Sequence, residues 1–221
     1  LHRVTPFDLM RLNTRLRTPS KADGAVITLA SRNETADHIN QSRLDAIEAP
    51  EFSFEGTVEG IFDEKRFPVE KTLRLKVGAQ VMFTRNDSHR RWANGTLATV
   101  SELSENEIKV SLTTGETYQV DCCSWESFAY DYDSEAKKLK KEIQGTFTQY
   151  PLKLAWAITI HKSQGTTFDK MVLDLSKGIF APGQLYVALS RVKSLDGLFL
   201  TRSIIHQYAR TSQEVLNFAG D

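Results

Sequence analysis

The pattern of apolar residues changes twice along this chain, after Pro50 and again after Tyr150. Between these points, short apolar runs alternate with turn residues and indicate many short β-strands. On either side, apolar runs are followed by longer helical patterns, as in α/β domains that contain a parallel sheet. The sequence therefore predicts a discontinuous α/β domain, residues 1–50 and 150–221, interrupted by a β-rich insertion at residues 51–149.

The insertion is predicted to be a small β-barrel, because several short strands at this spacing suit such a fold. Its predicted strands are residues 54–62, 72–77, 80–84, 96–103, 107–112 and 118–121. The signals Asn94-Gly95 and Thr114-Gly115-Glu116 are typical of turns between strands. Residues 137–141 form a basic run, for which we expect the exposed edge of a hairpin.

The flanking domain is predicted to begin with a helix at Pro6, with Thr5 as its N-cap. Leu9, Leu12 and Leu16 would form the apolar face that follows. The other predicted elements are a strand at 25–30, a helix at 34–47, a strand at 170–175, a helix from about 183, a strand at 197–201 and a helix at about 206–219.

The charge balance excludes a generally basic surface, because 28 basic and 28 acidic residues cancel. Any contact with nucleic acid must therefore come from a local patch. Cys122 and Cys123 are adjacent and lack the spacing of a disulfide framework or a metal site, which favours a reducing, intracellular compartment. No apolar run approaches the ~18 residues of a membrane helix, so we expect no membrane contact. The chain begins with Leu1, which favours a piece of a longer polypeptide or a truncated product.

One candidate site is the string Thr-Ile-His-Lys-Ser-Gln-Gly at residues 159–165, which follows an apolar run. Hydroxyl, imidazole and ammonium donors at such a position suit phosphate oxygens, as do backbone N–H groups at the start of a helix. Gln164 adds an amide, and Gly165 allows a ligand to approach the backbone closely. The alternative is a capped helix start with a solvated Lys162.

Two arginines are further candidates. Arg191 ends the helical string Tyr-Val-Ala-Leu-Ser-Arg and projects away from its apolar face, which by itself is typical of a surface ion pair. Arg32 follows the predicted strand at 25–30, and ligands of open α/β sheets bind at the ends of strands. Strings of this second kind are common, so the pattern around Arg32 is the less specific of the two.

Four residues of the insertion could serve a nucleic-acid strand. Arg85, Arg90 and Arg91 offer cations for phosphates, and Trp92 offers an aromatic ring for a base. The alternative is that Asn94-Gly95 forms a hairpin turn and that the arginines are solvated.

The strings at 159–165 and 186–191 together resemble motifs V and VI of superfamily-one helicases, in the branch of the RecD and PIF-type DNA helicases. The longer pattern at 149–168 resembles the PIF-type group in particular, residues 28–33 resemble motif IV, and residues 77–96 resemble the start of an SH3-like insertion. The resemblance covers nearly the whole chain. It implies a RecA-like (P-loop NTPase-type) parallel-sheet domain, interrupted by a small SH3-like barrel.

The resemblance also implies roles for residues. Arg191 would be the arginine finger of an ATP site and Arg32 a contact to the γ-phosphate, so these two are the expected catalytic residues. The expected nucleotide contacts are Gln164, Gly165, Arg191 and Arg32. The expected contacts to single-stranded DNA are Thr159, His161, Lys162, Ser163, Arg85 and Trp92. No metal site is expected in this chain.

The function implied is that of the C-terminal motor domain of an ATP-dependent 5′-to-3′ DNA helicase, with roles in DNA repair, recombination and telomere maintenance. The sequence contains no Gly-x-x-x-x-Gly-Lys-[Ser/Thr] phosphate loop. We therefore expect an N-terminal RecA-like domain of the same polypeptide to be required for binding ATP and Mg²⁺. We expect this chain to be a monomer that by itself binds neither ATP nor Mg²⁺ and is inactive. The alternative is a non-catalytic module that binds nucleic acid or docks on a protein.

Overall fold

The computed structural model describes residues 4–133 and 138–209, without the side chains of residue 21 and of residues 130–141. The chain forms two compact units. One contains the residues up to Asp45 and those from Ala155 onward, and the other contains Ala46–Leu154.

In chain order the helices and strands are α1 (Pro6–Asn13), β1 (Ile27–Ala30), α2 (Asn33–Asp45), β2 (Glu51–Glu55), β3 (Thr57–Gly60), β4 (Thr72–Lys76), β5 (Gln80–Phe83), β6 (Leu97–Leu103), β7 (Ile108–Leu112), β8 (Thr117–Val120), β9 (Cys123–Asp133), β10 (Lys138–Gln149), β11 (Leu152–Leu154), β12 (Ala157–Thr159), β13 (Met171–Asp174), α3 (Gln184–Leu189) and β14 (Leu198–Leu200). Short 3-10 turns occupy Lys21–Asp23, Glu64–Arg66, His161–Ser163, Leu195–Gly197 and His206–Ala209.

The first unit is built on a parallel sheet in the order β12-β1-β13-β14. Its strands are short runs of buried apolar residues, as expected where both faces of a sheet are covered. Helix α2 packs beside β1 and β12, and its Ala36 is buried against Ala30 and Ala157. The side chain of Asn40 donates to the carbonyl of Ala157 and accepts from its N–H, both at 2.8 Å, so the edge strand β12 has a partner for its backbone. The predicted α/β class with a parallel sheet is confirmed.

Most local predictions in this unit are confirmed within a few residues. Helix α1 begins at Pro6, and Thr5 and Asp8 form a capping box in which each side chain accepts from the other's backbone N–H. The predicted apolar face of Leu9, Leu12 and Leu16 is only partly covered, because Leu9 and Leu12 are half-buried and Leu16 is 49% exposed. The final predicted helix lies mostly outside the described residues, which include only the turn His206–Ala209.

The second unit contains a five-stranded antiparallel sheet, β11-β5-β6-β7-β8, a three-stranded sheet, β3-β10-β9, and the pair β2-β4. Phe83, Leu75 and Phe147 are among its fully buried side chains. Five of the six predicted strands are present, but the single strand expected at 54–62 is wrong, because it divides into β2 and β3 at Gly56. A Cβ on Gly56 would lie 2.6 Å from the ring of Phe147, so this close approach requires glycine.

The long hairpin of β9 and β10 was not predicted, apart from the hairpin edge expected at 137–141. The side chains of that basic run lie outside the described part of the structure. Within the described residues, no helix is long and apolar enough to span a membrane.

Candidate nucleotide and nucleic-acid site

The candidate residues of the first unit gather at one edge of the parallel sheet. All four strands run in the same direction, so their carboxyl ends meet at this edge. Thr159 ends β12, Ser31 and Arg32 follow β1, and Asp174 ends β13. The backbone N–H of Ile160 donates to the carbonyl of Ala30 at 2.9 Å and extends the pairing of β12 with β1 by one residue.

The string at 159–165 forms a tight turn, and the hydroxyls of the turn form hydrogen bonds within it. Thr159 is 7% exposed, and its Oγ1 accepts from the N–H of Lys162 at 3.3 Å. Ser163 is fully buried and donates from Oγ to the carbonyl of Ile160 at 2.7 Å. These two hydroxyls therefore shape the turn, and their contact with DNA stays a prediction.

Four of the other residues of this turn are exposed, while Ile160 is buried. His161 and Lys162 lie within the 3-10 turn, and Gln164 and Gly165 follow it. Gly165 has a φ of +79°, and no heavy atom lies within 4 Å of the position that a Cβ would take. This backbone conformation favours glycine and leaves open space in which a ligand can approach the chain. The turn therefore exposes two pairs of residues to solvent, while its Thr159 and Ser163 are buried.

Arg191 lies beside this turn. Its Nη1 donates to the carbonyl of Thr166 at 3.3 Å. The backbones also pair, because the N–H of Phe168 donates to the carbonyl of Arg191 at 2.7 Å and the N–H of Lys193 donates to the carbonyl of Phe168 at 3.0 Å. The two strings that suggested a shared site in the sequence are thus adjacent in space. Leu185 and Ala188 of helix α3 are buried in the core.

Arg32 lies near the loop that precedes α3. Its guanidinium carbon is 5.9 Å from the ring centroid of Phe180, whose side chain is 65% exposed. Gln184 connects the same two segments. Its Oε1 accepts from the N–H groups of Phe180 and Ala181 at 3.2 and 3.4 Å, and its Nε2 lies 3.5 Å from the carbonyl of Ser31. Sequence reasoning missed Gln184, for which the signal would have been its place directly after the helix-capping Gly183.

Asp174 is a second residue that sequence reasoning missed. Its carboxylate is 8% exposed and accepts from the N–H and Oγ of Ser176 at 2.8 and 3.0 Å and from Oγ1 of Thr201 at 3.1 Å. These bonds hold the start of the loop between β13 and α3. The signal in the sequence was an acidic residue at the end of a buried parallel strand.

The candidates of the second unit divide into packed and exposed residues. Trp92 is 8% exposed, its ring stacks on Phe83 with centroids 4.1 Å apart, and the guanidinium of Arg91 lies 4.4 Å from its centroid. Little of the indole is left for a base, so the structure gives Trp92 a packing role. Arg91 is not a free solvated cation, because it forms a bidentate pair with Asp87 at 2.9 and 2.8 Å and its side chain is 30% exposed.

Arg85 and Arg90 are the exposed cations of this segment. Nη1 of Arg85 donates to the carbonyl of Ser124 at 2.9 Å, which holds the side chain along the surface. Asn94-Gly95 lies in a turn, and the N–H of Gly95 donates to the carbonyl of Phe83 at 2.8 Å. Nearby, Cys122 and Cys123 are free thiols, and burial raises the pKa of each.

Asp87 organises the loop that carries these residues. In addition to its pair with the Arg91 side chain, Oδ2 of Asp87 accepts from the backbone N–H groups of His89 and Arg91 at 2.9 and 3.0 Å. The hydrogen bonds from the Arg91 side chain are the largest cause that holds the pKa of Asp87 far below its usual range, against the opposing effect of burial. A carboxylate in this setting is charged at every pH at which the protein is expected to work.

Replacing Asp87 with alanine should therefore destabilise the protein by about 2–3 kcal/mol, because the charged Arg91 loses its partner. Thermal unfolding at neutral pH would measure this loss. Asp169→Ala is the matched control, because Asp169 forms an ion pair with Lys193 at 2.6 Å but its side chain is 82% exposed, so this variant should change stability little. Since the pKa of Asp87 is lowered on folding, its contribution should be complete above about pH 4 and decline only below it. Equal Tm values for the two variants would contradict this.

Known proteins resemble this chain in both units. A family model described as DNA helicase Pif1, 2B domain, matches residues 64–103, which include Arg85, Asp87 and Trp92. The ATP-dependent DNA helicase Pif1 of Bdellovibrio bacteriovorus is 41% identical over 186 residues, which cover 80% of this chain and 40% of that protein. The structure of unliganded Pif1 from Bacteroides sp superposes with a TM-score of 0.88 at 35% identity, over 98% of this chain and 50% of that one.

This chain belongs to the Pif1 helicase family. It spans two fifths of the Bdellovibrio Pif1 and half of the solved Bacteroides Pif1 chain. Bacteroides Pif1 has also been solved in complex with ADP-AlF3 and ssDNA, with a TM-score of 0.74 and 35% identity over 98% of this chain and 50% of that one. A Pif1 helicase with the same architecture thus binds a nucleotide analogue and single-stranded DNA.

Proposed function

We propose that this chain provides one wall of the ATP site, and part of the single-stranded DNA track, of a Pif1-type ATP-dependent helicase that moves 5′ to 3′. The observation that carries the proposal is the contact of Arg191 with the carbonyl of Thr166, directly after the Gln164-Gly165 turn. It places a permanent cation beside an open stretch of backbone at the carboxyl edge of a parallel sheet, where α/β proteins bind ligands. The complex of Bacteroides Pif1 with ADP-AlF3 and ssDNA supports the same pair of ligands.

The chemistry of this wall is electrostatic. During phosphoryl transfer, negative charge spreads over the oxygens of the transferred group, and a positioned guanidinium stabilises it. Arg191 would supply this charge, and Arg32, at the end of β1, a second contact to the terminal phosphate. The attacking water and the phosphate loop would belong to the N-terminal RecA-like domain of the same polypeptide, because this sequence has no phosphate-loop motif.

Mg²⁺ does not fit the residues at this edge. Among the described residues, Asp174 is the carboxylate at the end of the central strand β13, and both its oxygens accept hydrogen bonds from Ser176 and Thr201. The described residues also contain no group of three or more His, Cys, Asp or Glu side chains placed to hold a metal. We therefore assign no metal ligand to this unit.

The division of the chain supports the proposed domains. The first unit, with its parallel sheet and the three motif strings, would be the second RecA-like motor domain. The second unit would be the SH3-like insertion, with Arg85 as a contact to DNA. A non-catalytic module is the second candidate, favoured by the missing phosphate-loop motif. ATPase and unwinding assays on the protein expressed from its complete gene would decide between a motor and a module.

The two exposed pairs of the 159–165 turn should have separable roles. We expect Lys162→Ala to weaken binding to single-stranded DNA and to reduce the slope of log K against log salt by about one unit, as for one lost phosphate contact. Gln164→Ala should instead lower ATP turnover and leave the nucleotide-free affinity for DNA unchanged. Titrations at several salt concentrations, with the protein expressed from its complete gene, would measure both.

Lys177→Ala is a suitable control for the Lys162 variant, because Lys177 is an exposed lysine of the same unit on a different loop. An unchanged salt slope in Lys162→Ala would refute the DNA contact. A loss of DNA affinity in Gln164→Ala as large as that in Lys162→Ala would refute the separation of the two faces.

A further inference from the structure

The side chain of Ser190 holds one edge of Arg191. Ser190 is the C-cap of α3, and its Oγ donates to the carbonyl of Val187 at 2.8 Å. Because this proton is committed, the lone pairs of Oγ face other donors. They accept from Nη2 of Arg191 at 2.9 Å and from Nε at 3.3 Å. One hydroxyl thus bridges the two neighbouring N–H groups on the same edge of the guanidinium.

The Arg191 guanidinium also forms hydrogen bonds with two backbone carbonyls. Nε also donates to the carbonyl of Val187 at 3.1 Å, and Nη1 donates to the carbonyl of Thr166 at 3.3 Å. A guanidinium has five N–H bonds, and these contacts occupy one on each of its three nitrogens. Within the described part of the chain, the other N–H of Nη1 and the other N–H of Nη2 donate to no protein atom. The end of the fork is therefore available while its side edge is held.

We propose that Ser190 is a positioning residue, which fixes the side edge of the Arg191 guanidinium so that its end can form a bidentate contact with a phosphate. This inference rests on the proposed function of Arg191. Its physical basis is preorganisation. A free arginine side chain has about 2 kcal/mol of rotamer entropy to lose when it binds, and a side chain held in advance loses less at the moment of reaction.

Replacement of the hydroxyl tests the role of Ser190 in turnover. We expect Ser190→Ala to lower kcat about tenfold, which corresponds to about 1.4 kcal/mol, with KM for ATP and affinity for DNA within about twofold of the wild-type values. Ser190→Thr keeps an Oγ in the same place and should restore most of the rate. Ser194→Ala is the matched control, because its Oγ accepts from the N–H of Gly197 at 3.4 Å in the following turn and does not contact Arg191. All variants would be made in the protein expressed from its complete gene.

A second measurement follows Arg191 itself. In NMR spectra of the arginine Nε–Hε groups, hydrogen exchange at Arg191 should become faster in Ser190→Ala and stay slow in Ser190→Thr and Ser194→Ala. If Arg191→Ala abolishes turnover but Ser190→Ala has normal kcat or normal exchange at Arg191, the positioning role is refuted and the proposed function stands. If Arg191→Ala itself keeps normal turnover, both proposals are refuted.

Discussion

Arg191→Ala should lower the kcat of ATP hydrolysis by about a thousandfold or more in the protein expressed from its complete gene. The guanidinium would stabilise charge that develops only in the transition state, so kcat should fall much more than KM changes. Affinity for single-stranded DNA should remain near that of the wild-type protein. Steady-state ATPase assays with saturating DNA, together with DNA titrations, would separate these quantities.

Two variants sharpen this test. Arg191→Lys should restore little activity, because an ammonium cannot reproduce the planar fork that matches two phosphate oxygens. Lys193→Ala removes a cation two residues away, whose side chain is 59% exposed and pairs with Asp169, and it should leave kcat nearly unchanged. Near-normal kcat in Arg191→Ala would show that Arg191 is an ordinary surface residue.

The 221-residue chain by itself should show no ATP turnover above background, with or without single-stranded DNA. Phosphoryl transfer needs positioned charges around the whole phosphate chain, and this sequence lacks the phosphate-loop motif that would hold the β- and γ-phosphates. Arg191 and Arg32 alone provide cations on one side. ATPase assays on the purified chain, with Arg191→Ala as the control for contaminating ATPases, would measure this.

Turnover that disappears in Arg191→Ala would mean that the chain hydrolyses ATP without a second domain, and the two-domain model of the site would be refuted. Turnover that persists in Arg191→Ala would point to a contaminant. Mixing the chain with a separately expressed phosphate-loop domain of the same protein should restore DNA-dependent turnover in the wild-type chain and not in Arg191→Ala.

Elements that depend on neighbours in sequence could be predicted without a structure. Helix α1 begins where Thr5 and Pro6 indicated, because a capping box uses side chains within one turn of each other. Strand β1 and helix α2 lie where an apolar run followed by a helical pattern placed them. Local bonding and periodicity were sufficient at these positions.

Elements that depend on distant residues could not be predicted in this way. The expected strand at 54–62 divides at Gly56 because its two halves pair with different strands, β2 with β4 and β3 with β10, and Phe147, which is 91 positions away, packs against the glycine. The sequence around Trp92 suggests a platform for a base, yet Phe83 and Arg91 cover the ring in the folded unit. In the apolar face predicted for α1, Leu9 and Leu12 are half-buried and Leu16 is 49% exposed.

The sequence by itself determined the family, the α/β class and the identity of the chemical groups, because motif strings and hydrophobic periodicity are written in consecutive residues. Only the tertiary structure decided which of these groups are already paired or buried and which remain available to a ligand. It buries the hydroxyls of Thr159 and Ser163 inside the turn, pairs Arg91 with Asp87, and brings Ser190 and Thr166 onto Arg191. The physical reason is that a polar atom's availability depends on which partners the fold places within about 3 Å, and most of those partners are distant in sequence or set by the exact course of a turn.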